Sequence, residues 1–196
     1  MYFKITVNSM YLFLTIPKKH ILWLYILSVI FNCSVSNSQG REENSINEIN
    51  NYLEYSPIFS SSGQVSKNDL NNLMEAGFQR VIYLAYNNQG KALLGENRLV
   101  KDLGMQYIHI PVEWSKPRIN DFQLFAAMMQ QSSEIRTLLH CQVNYRASVF
   151  SFLYRVIYMG IDIKQAKSDM ESIWIPDLIW KKFIFEVLEM NQISLN

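Results

Sequence analysis

The sequence predicts an α/β fold in which a mostly parallel sheet is flanked by helices. Short apolar runs rich in β-branched residues, such as residues 80–85, alternate along the chain with segments whose apolar residues recur with a helical period. This alternation is typical of parallel strands that are connected by helices. The chain has 196 residues, of which 49% are hydrophobic, so it is long enough and apolar enough for one domain with a buried core.

The N-terminus has the layout of a secretory signal peptide. A basic stretch at residues 18–20 precedes an apolar run at residues 21–31, and the small residues Ser34 and Ser36 follow. The apolar run is shorter than the stretch of about 20 residues that crosses a membrane. We therefore expect residues 1–36 to be a signal peptide and the mature protein to be periplasmic or secreted. An uncleaved N-terminal membrane anchor is the alternative.

The segment after the signal is predicted to be a linker. Residues 37–54 are rich in Asn, Ser and Glu, with few aliphatic residues, and such a composition disfavours a packed structure. The domain is therefore expected to span residues 55–190. Its first strand is predicted at residues 56–60.

The first helix is predicted between Ser66 and Gly77. Ser66 is a residue type that caps helix N-termini. Leu70, Leu73 and Met74 follow at the spacing of one helix face. Gly77 suits the left-handed conformation that often ends a helix.

The next elements continue the alternation. Strands are predicted at residues 80–85 and 106–112, and a helix at about residues 93–103 connects them. After a loop at residues 113–118, a helix opens at Asn120. Phe122, Phe125, Met128 and Met129 lie on its apolar side. A strand at residues 136–139 then leads to Cys141, and helices are predicted at residues 147–159, 162–173 and 176–190.

Charge and cysteine content exclude several function classes. A net charge of +1 argues against a nucleic-acid partner, since phosphate contacts require a basic excess. The chain has two cysteines, Cys33 and Cys141. Cleavage near Ser36 leaves Cys141 as the single thiol, which is then either buried and inert or kept for chemistry. His109 has no second ligand at a metal-binding spacing, so we expect neither a metal nor a cofactor.

The most informative segment is His140-Cys141, with Arg146 five positions after the cysteine. A strand, a tight loop and a helix follow one another here, which aims backbone amides and the positive end of a helix dipole at one point. A cysteine in such a place is biased toward the nucleophilic thiolate, and an arginine can bind an oxyanion with two parallel hydrogen bonds. Since ligands of parallel sheets bind beyond the carboxyl ends of the strands, these residues predict an oxyanion site with a nucleophilic cysteine.

Several segments together resemble one family. They are Ser62-Gly63-Gln64, Ala76-Gly77-Phe78 with residues 81–84, residues 103–112, the loop at residues 140–148, and residues 149–155. Over residues 55–188 the chain resembles the bacterial tyrosine and dual-specificity phosphatase-like family. It is most similar to small proteins that resemble the phosphatase domain of beta-lactamase hydrolase-like proteins. The resemblance implies the cysteine-phosphatase-like sandwich.

The resemblance also implies roles for the loop residues. Cys141 would attack phosphorus and form a phosphocysteine, and Arg146 would bind the equatorial oxygens. His140 would orient the loop, and Ser148 would donate a hydrogen bond to the thiolate. The backbone amides of the loop would form the anion cradle, which gives a substrate-binding set of His140, Gln142, Val143, Asn144, Tyr145 and Ser148.

The general acid is expected in the loop that follows the strand at residues 106–112. Glu113 occupies the position where the family usually presents an aspartate, so the resemblance assigns it this role, with Asp121 as the alternative. The expected substrate is a phosphorylated small molecule or protein. Contact with a membrane is expected only through an uncleaved signal.

The loop departs from the family pattern in two ways. Four residues separate Cys141 from Arg146, whereas tyrosine phosphatases usually have five, and this spacing also resembles rhodaneses. The loop has no glycine, so Asn144 is the natural candidate for a left-handed conformation, and bulky Val143 and Tyr145 are expected to shape the pocket. Two alternatives therefore remain: a rhodanese-like sulfurtransferase with a Cys141 persulfide, and a non-catalytic anion-binding module.

Overall fold

A computed structural model describes residues 46–194, except Gln89 and Lys91, and contains a mixed sheet. The five strands are β1 (Leu53–Ser56), β2 (Phe59–Ser62), β3 (Arg80–Tyr83), β4 (Gln106–His109) and β5 (Thr137–His140). Their order across the sheet is β1-β2-β5-β3-β4. β1 is antiparallel to β2, and the three other pairs are parallel. The predicted α/β fold with a mostly parallel sheet is confirmed.

Helices cover both faces of the sheet. They are α1 (Lys67–Glu75), α2 (Glu96–Asp102), α3 (Ile119–Gln131), α4 (Tyr145–Tyr158), α5 (Ile163–Ile173) and α6 (Leu178–Met190). Val81 and Leu138 pack in the apolar cluster of α1 and α2, whereas Ile82 and Leu139 pack in the cluster of α3–α6. Successive side chains of a strand point to opposite faces, so the apolar central strands serve both layers. Among the described residues, no helix has the length and apolar character needed to cross a membrane.

The first helix matches its prediction closely. Ser66 is the N-cap of α1, where its side chain accepts from the Asp69 amide and the Asp69 side chain accepts from the Ser66 amide. This reciprocal pair is a capping box. Gly77 follows the helix with a positive φ of 85°. The residue types at the two ends of α1 were therefore sufficient to predict where this helix begins and ends.

The chain turns where the first strand was predicted. Residues 56–60 are not one strand, because the chain reverses at Pro57 and Ile58 between β1 and β2. Proline has no N–H to donate to a ladder and is favoured in turns. The first element is therefore a hairpin that begins at Leu53.

The predicted linker at residues 37–54 requires a correction over its described part. Ile46 and Ile49 are only 3% and 4% exposed, and they pack in the same cluster as Leu70 and Leu73 of α1. Two aliphatic residues three positions apart are enough to dock a short polar segment on a core. The folded region thus includes residues 46–54, and the predicted signal at residues 1–36 lies outside the described residues.

β4 is shorter than its predicted strand, but the chain continues along β3. The Ile110 amide donates to the Tyr83 carbonyl and the Val112 amide to the Leu84 carbonyl, each at 2.9 Å. Pro111 lies between them and cannot donate. This path brings the Val112 carbonyl to the loop that follows β5.

Substitution of Ile49 tests the corrected boundary. We expect Ile49→Ala to lower the free energy of unfolding by about 2–5 kcal/mol, because the change leaves a cavity in a packed core. Ile175 is 70% exposed, so the control Ile175→Ala should change it by less than about 0.5 kcal/mol. Urea denaturation measures both. Equal effects of the two variants would mean that residues 46–54 contribute nothing to the core.

Candidate active site

Cys141 lies at the carboxyl end of β5, which is the middle strand of the sheet. All four residues of β5 are fully buried, and Cys141 itself has an exposed fraction of 0%. The Cys141 amide donates to the Ser62 carbonyl at 3.3 Å. Burial on both sides of the strand fixes the position of the thiol at the sheet edge where ligands of such folds bind.

The loop after Cys141 turns without glycine. Asn144 has a positive φ of 67° and is the N-cap residue of α4. The predicted left-handed conformation of Asn144 is confirmed, since asparagine tolerates it better than most residues. The helix begins at Tyr145, two residues before the predicted start at Ala147, so Arg146 lies in its first turn. The amides of Tyr145 and Arg146 make no backbone hydrogen bond to the described residues.

Arg146 is held from the side by the loop that follows β4. Its Nε donates to the Val112 carbonyl at 3.0 Å, and its guanidinium carbon lies 5.2 Å from the ring centroid of Trp114. The residue is only 6% exposed. Within the described residues, no hydrogen bond or ion pair involves the terminal nitrogens Nη1 and Nη2. A guanidinium fixed in this way presents two donors to a bidentate oxyanion.

His140 makes a buried contact with a carboxylate. Its Nε2 lies 2.7 Å from Oε1 of Glu96, and the two side chains are 0% and 3% exposed. Oε2 of Glu96 accepts from Nε2 of Gln64 at 2.9 Å. Glu96 is the first residue of α2, where the helix dipole favours a negative charge. Glu96 of α2 therefore gives His140, which is predicted to orient the loop, a buried hydrogen-bond partner.

Tyr83 packs against His140, the residue before Cys141. Its ring stacks on that of His140 with centroids 4.6 Å apart. Burial raises the pKa of Tyr83 to about 12, with smaller raising contributions from Glu96 and Cys141 and a lowering one from Arg146. Tyr83 therefore stays a neutral phenol at neutral pH, close to the charges of the site.

Ser148 does not take the predicted role in this structure. Its hydroxyl donates to the Tyr145 carbonyl at 3.0 Å and accepts from the Trp174 indole at 3.2 Å. A helical serine readily bonds a carbonyl in the preceding turn. The Ser148 hydroxyl thus donates its proton to a backbone carbonyl and not to Cys141. Trp174 also stacks on Tyr145 at 4.6 Å, which fixes the first turn of α4.

The two candidate acids lie in different places. Glu113 stands between Val112 and Trp114, the two residues that hold Arg146, and its carboxylate accepts from the Ser115 hydroxyl at 3.2 Å. Asp121 lies in the first turn of α3. Partial burial raises the pKa of Asp121. Glu113 is thus adjacent in the chain to the two residues that hold Arg146, whereas Asp121 lies on a helix.

A cavity with a mixed polar and apolar lining opens beside the loop. Its volume is about 590 Å³, and it brings together residues on either side of the hairpin, the start of α1, the segment before α2 and Gln142. The residues that line it are Asn50, Gln64, Val65, Ser66, Asp69, Ala92, Leu93, Leu94 and Gln142. Gln142 thus faces a space next to the predicted anion site. Over the part of the chain that the structure describes, no cluster of three or more potential metal ligands occurs.

No family model and no curated protein matches the chain, but solved structures do. Two crystal structures of a Shewanella putrefaciens CN-32 protein, "Putative phosphatase (DUF442)", superpose with TM-scores of 0.68 and 0.66. Sequence identity is 29% and 30%, over 76% and 75% of this chain and 97% and 94% of the other. The chain belongs to the DUF442 family.

More distant structures show that the DUF442 fold is that of tyrosine and dual-specificity phosphatases. Tk-PTP in its active form has a TM-score of 0.61 at 12% identity, over 71% of this chain and 97% of its own. TpbA of P. aeruginosa has a TM-score of 0.59 at 15% identity, over 73% and 89%. The resemblance inferred from the loop and its flanking segments is therefore confirmed.

Four residues that contact this DUF442 site were not predicted to do so. Glu96 was assigned to a helix without a role, although a glutamate directly after a glycine at a helix start is a recognisable anion-favouring position. Trp114 lies in the predicted loop at residues 113–118 and Trp174 between two predicted helices, and no local signal distinguishes a packing tryptophan from one that holds an arginine or a helix end. Asn51, which hydrogen-bonds Val143 and Asn144 of the loop, lay within the predicted linker.

Glu96 provides a test of the buried pair. We expect Glu96→Ala to lower the free energy of unfolding of the DUF442 domain by about 3–5 kcal/mol, because it leaves His140 without its buried partner. The pair Lys167–Glu171 has the same 2.7 Å separation but is exposed. Glu171→Ala should therefore cost less than about 0.5 kcal/mol. Urea denaturation compares them, and equal losses would contradict the role assigned to Glu96.

Proposed function

We propose that the chain is a cysteine-dependent phosphatase that hydrolyses a phosphate monoester through a phosphocysteine. The observation that carries the proposal is the state of Arg146. It is held through Nε by the Val112 carbonyl, whereas Nη1 and Nη2 have no hydrogen-bond or ion-pair partner among the described residues. These two terminal nitrogens belong to a residue five positions after the cysteine that follows β5. They can donate hydrogen bonds to the equatorial oxygens of a transferring phosphoryl group.

In the first step the Cys141 thiolate attacks phosphorus, and the bond to the leaving-group oxygen breaks. Arg146 and the amides at the start of α4 stabilise the charge that spreads over the equatorial oxygens. Because Cys141 and Arg146 are buried, little water competes with these donors. A proton from Glu113 passes to the leaving oxygen, so that an alcohol or phenol departs.

In the second step water attacks the phosphocysteine. Glu113, now ionised, takes a proton from this water, as an acid that has given up its proton can do. Inorganic phosphate leaves and the Cys141 thiolate is regenerated. The substrate class is a phosphorylated small molecule or protein. The neighbour TpbA has been solved in complex with pTyr, which makes an aryl phosphate a rational first probe.

The layout of residues 1–36 supports the further proposal that the protein is exported, to the periplasm or outside the cell. The exported form would then carry Cys141 as its single thiol. The folded domain itself starts no later than Ile46, which is buried in the core of the described region. A signal removed near Ser36 would leave this domain intact.

Cys141 and Arg146 are tested together with p-nitrophenyl phosphate. Cys141→Ser should abolish hydrolysis, because serine is a poor nucleophile at neutral pH, while inorganic phosphate still binds. Arg146→Lys should lower kcat/KM by about 10²–10³-fold, the usual cost of one oxyanion donor.

Absence of any Cys141-dependent phosphate release would contradict the proposal. Mass spectrometry after thiosulfate treatment then examines the sulfurtransferase alternative, which the four-residue spacing between Cys141 and Arg146 motivates. A gain of one sulfur on Cys141 would support that alternative. An unmodified and unreactive thiol would indicate an anion-binding module.

The general acid is identified by its dependence on the leaving group. Glu113→Gln should reduce kcat on phenyl phosphate by about 10²–10⁴-fold and reduce it far less on p-nitrophenyl phosphate, because p-nitrophenolate leaves without a proton. Asp121→Asn serves as the matched variant. Leaving-group dependence in Asp121→Asn but not in Glu113→Gln would assign the role to Asp121.

A further inference from the structure

Two asparagines with left-handed backbones connect the segment before β1 to the loop that follows Cys141. Asn51 has a φ of 51° and Asn144 a φ of 67°. Nδ2 of Asn51 donates to the Val143 carbonyl at 3.0 Å, and Nδ2 of Asn144 donates to the Asn51 carbonyl at 2.6 Å. The two residues are far apart in sequence, so this reciprocal pair joins the segment before β1 to the loop after β5.

We propose that Asn51 is a positioning residue that holds the loop in its anion-binding conformation. The inference rests on the proposed function and deepens it, because it names a residue outside the family-like segments on which the site depends. Asn51 acts through Val143 and Asn144 and touches no reacting atom.

The physical reason lies in the planarity of the peptide bond. In a trans peptide the carbonyl of one residue and the N–H of the next point in opposite directions. Fixing the Val143 carbonyl on Asn51 therefore fixes the direction of the Asn144 N–H, away from Asn51. The Gln142 carbonyl is fixed in the same manner, since it accepts from the Gln64 amide at 3.1 Å. Both peptides at the turn of a glycine-free loop are thus oriented by external donors.

The segment that carries Asn51 is itself anchored firmly. Ile49 is buried, and the Asn50 carbonyl accepts from the Gly63 amide at 2.7 Å. A Cβ on Gly63 would lie 2.9 Å from that carbonyl and 3.2 Å from the Gln142 carbonyl. Such distances leave no room for a side chain. Because Gly63 has no side chain, the segment that carries Asn51, the end of β2 and the loop after Cys141 can pack closely together.

The choice of asparagine at both positions is informative. Glycine would adopt a positive φ with less strain than asparagine, but it supplies no donor. The Asn144 side chain also leaves its Oδ1 buried without a partner among the described residues, which is unfavourable for stability. The pair is therefore suited to fixing geometry rather than to maximal stability.

The experiment compares glycine substitutions at positions with positive φ. Gln192 has a φ of 59°, is exposed and makes no side-chain hydrogen bond or ion pair within the described residues, so Gln192→Gly is the matched control for Asn51→Gly. Binding of inorganic phosphate is measured by calorimetry in the Cys141→Ser background, and kcat and KM on p-nitrophenyl phosphate in the parent chain. Asn51→Asp, which keeps the shape but not the donor, is a second variant.

We expect Asn51→Gly and Asn51→Asp to weaken phosphate binding by about tenfold, the equivalent of one hydrogen bond, and to lower kcat. Gln192→Gly should change neither. Asn144→Gly should weaken binding similarly, and the double variant Asn51→Gly/Asn144→Gly should lose less than the product of the two single effects, because the residues act as a unit.

The outcomes separate this inference from the proposed function. A lower melting temperature with unchanged phosphate affinity and kcat would make Asn51 merely structural and overturn the inference while leaving the phosphatase proposal intact. Phosphate binding that depends on Asn51, in a parent chain without Cys141-dependent turnover, would support the inference and contradict the phosphatase proposal alone. If the Cys141→Ser chain binds no phosphate, the inference is wrong.

Discussion

The burial of β5 is the constraint on which the rest of the structure depends. Its side chains alternate between the two apolar clusters, and it pairs with β2 on one side and β3 on the other. Such a strand has little freedom to shift, because a change of register by one residue would exchange its two faces. Cys141 and the start of α4 therefore occupy a fixed position, and each other part of the site is brought to them.

Several neighbouring elements contact His140, the loop after it or the first turn of α4. The chain beyond β4 brings the Val112 carbonyl and Trp114 to Arg146, α2 brings Glu96 to His140, and the end of α5 brings Trp174 to the first turn of α4. Each contact uses a charge or a hydrogen bond rather than apolar packing alone. Together they restrict the positions of the loop and of the first turn of α4, and the proposed function relies on such preorganisation.

The four-residue spacing and the lack of glycine explain why so many external donors are present. A short loop between a strand and a helix must reverse sharply, and only Asn144 adopts the left-handed conformation there. Its neighbouring carbonyls cannot all be satisfied within the loop, and a buried carbonyl without a donor is unfavourable. The Gln64 amide and the Asn51 side chain supply the missing donors. The segments on either side of the hairpin thus complete the candidate site, whose other residues come from β5 and α4.

The sequence by itself determined the features that depend on neighbours in the chain. The alternation of strands and helices, the capping box at Ser66, the position of Cys141 and the left-handed Asn144 all follow from local propensity and periodicity. Tertiary structure decided the contacts between distant residues. His140 and Glu96 are 44 positions apart, and Asn51 and Asn144 are 93 apart, so no local pattern links them. Only the packing of the core around β5 brings such residues within hydrogen-bond distance.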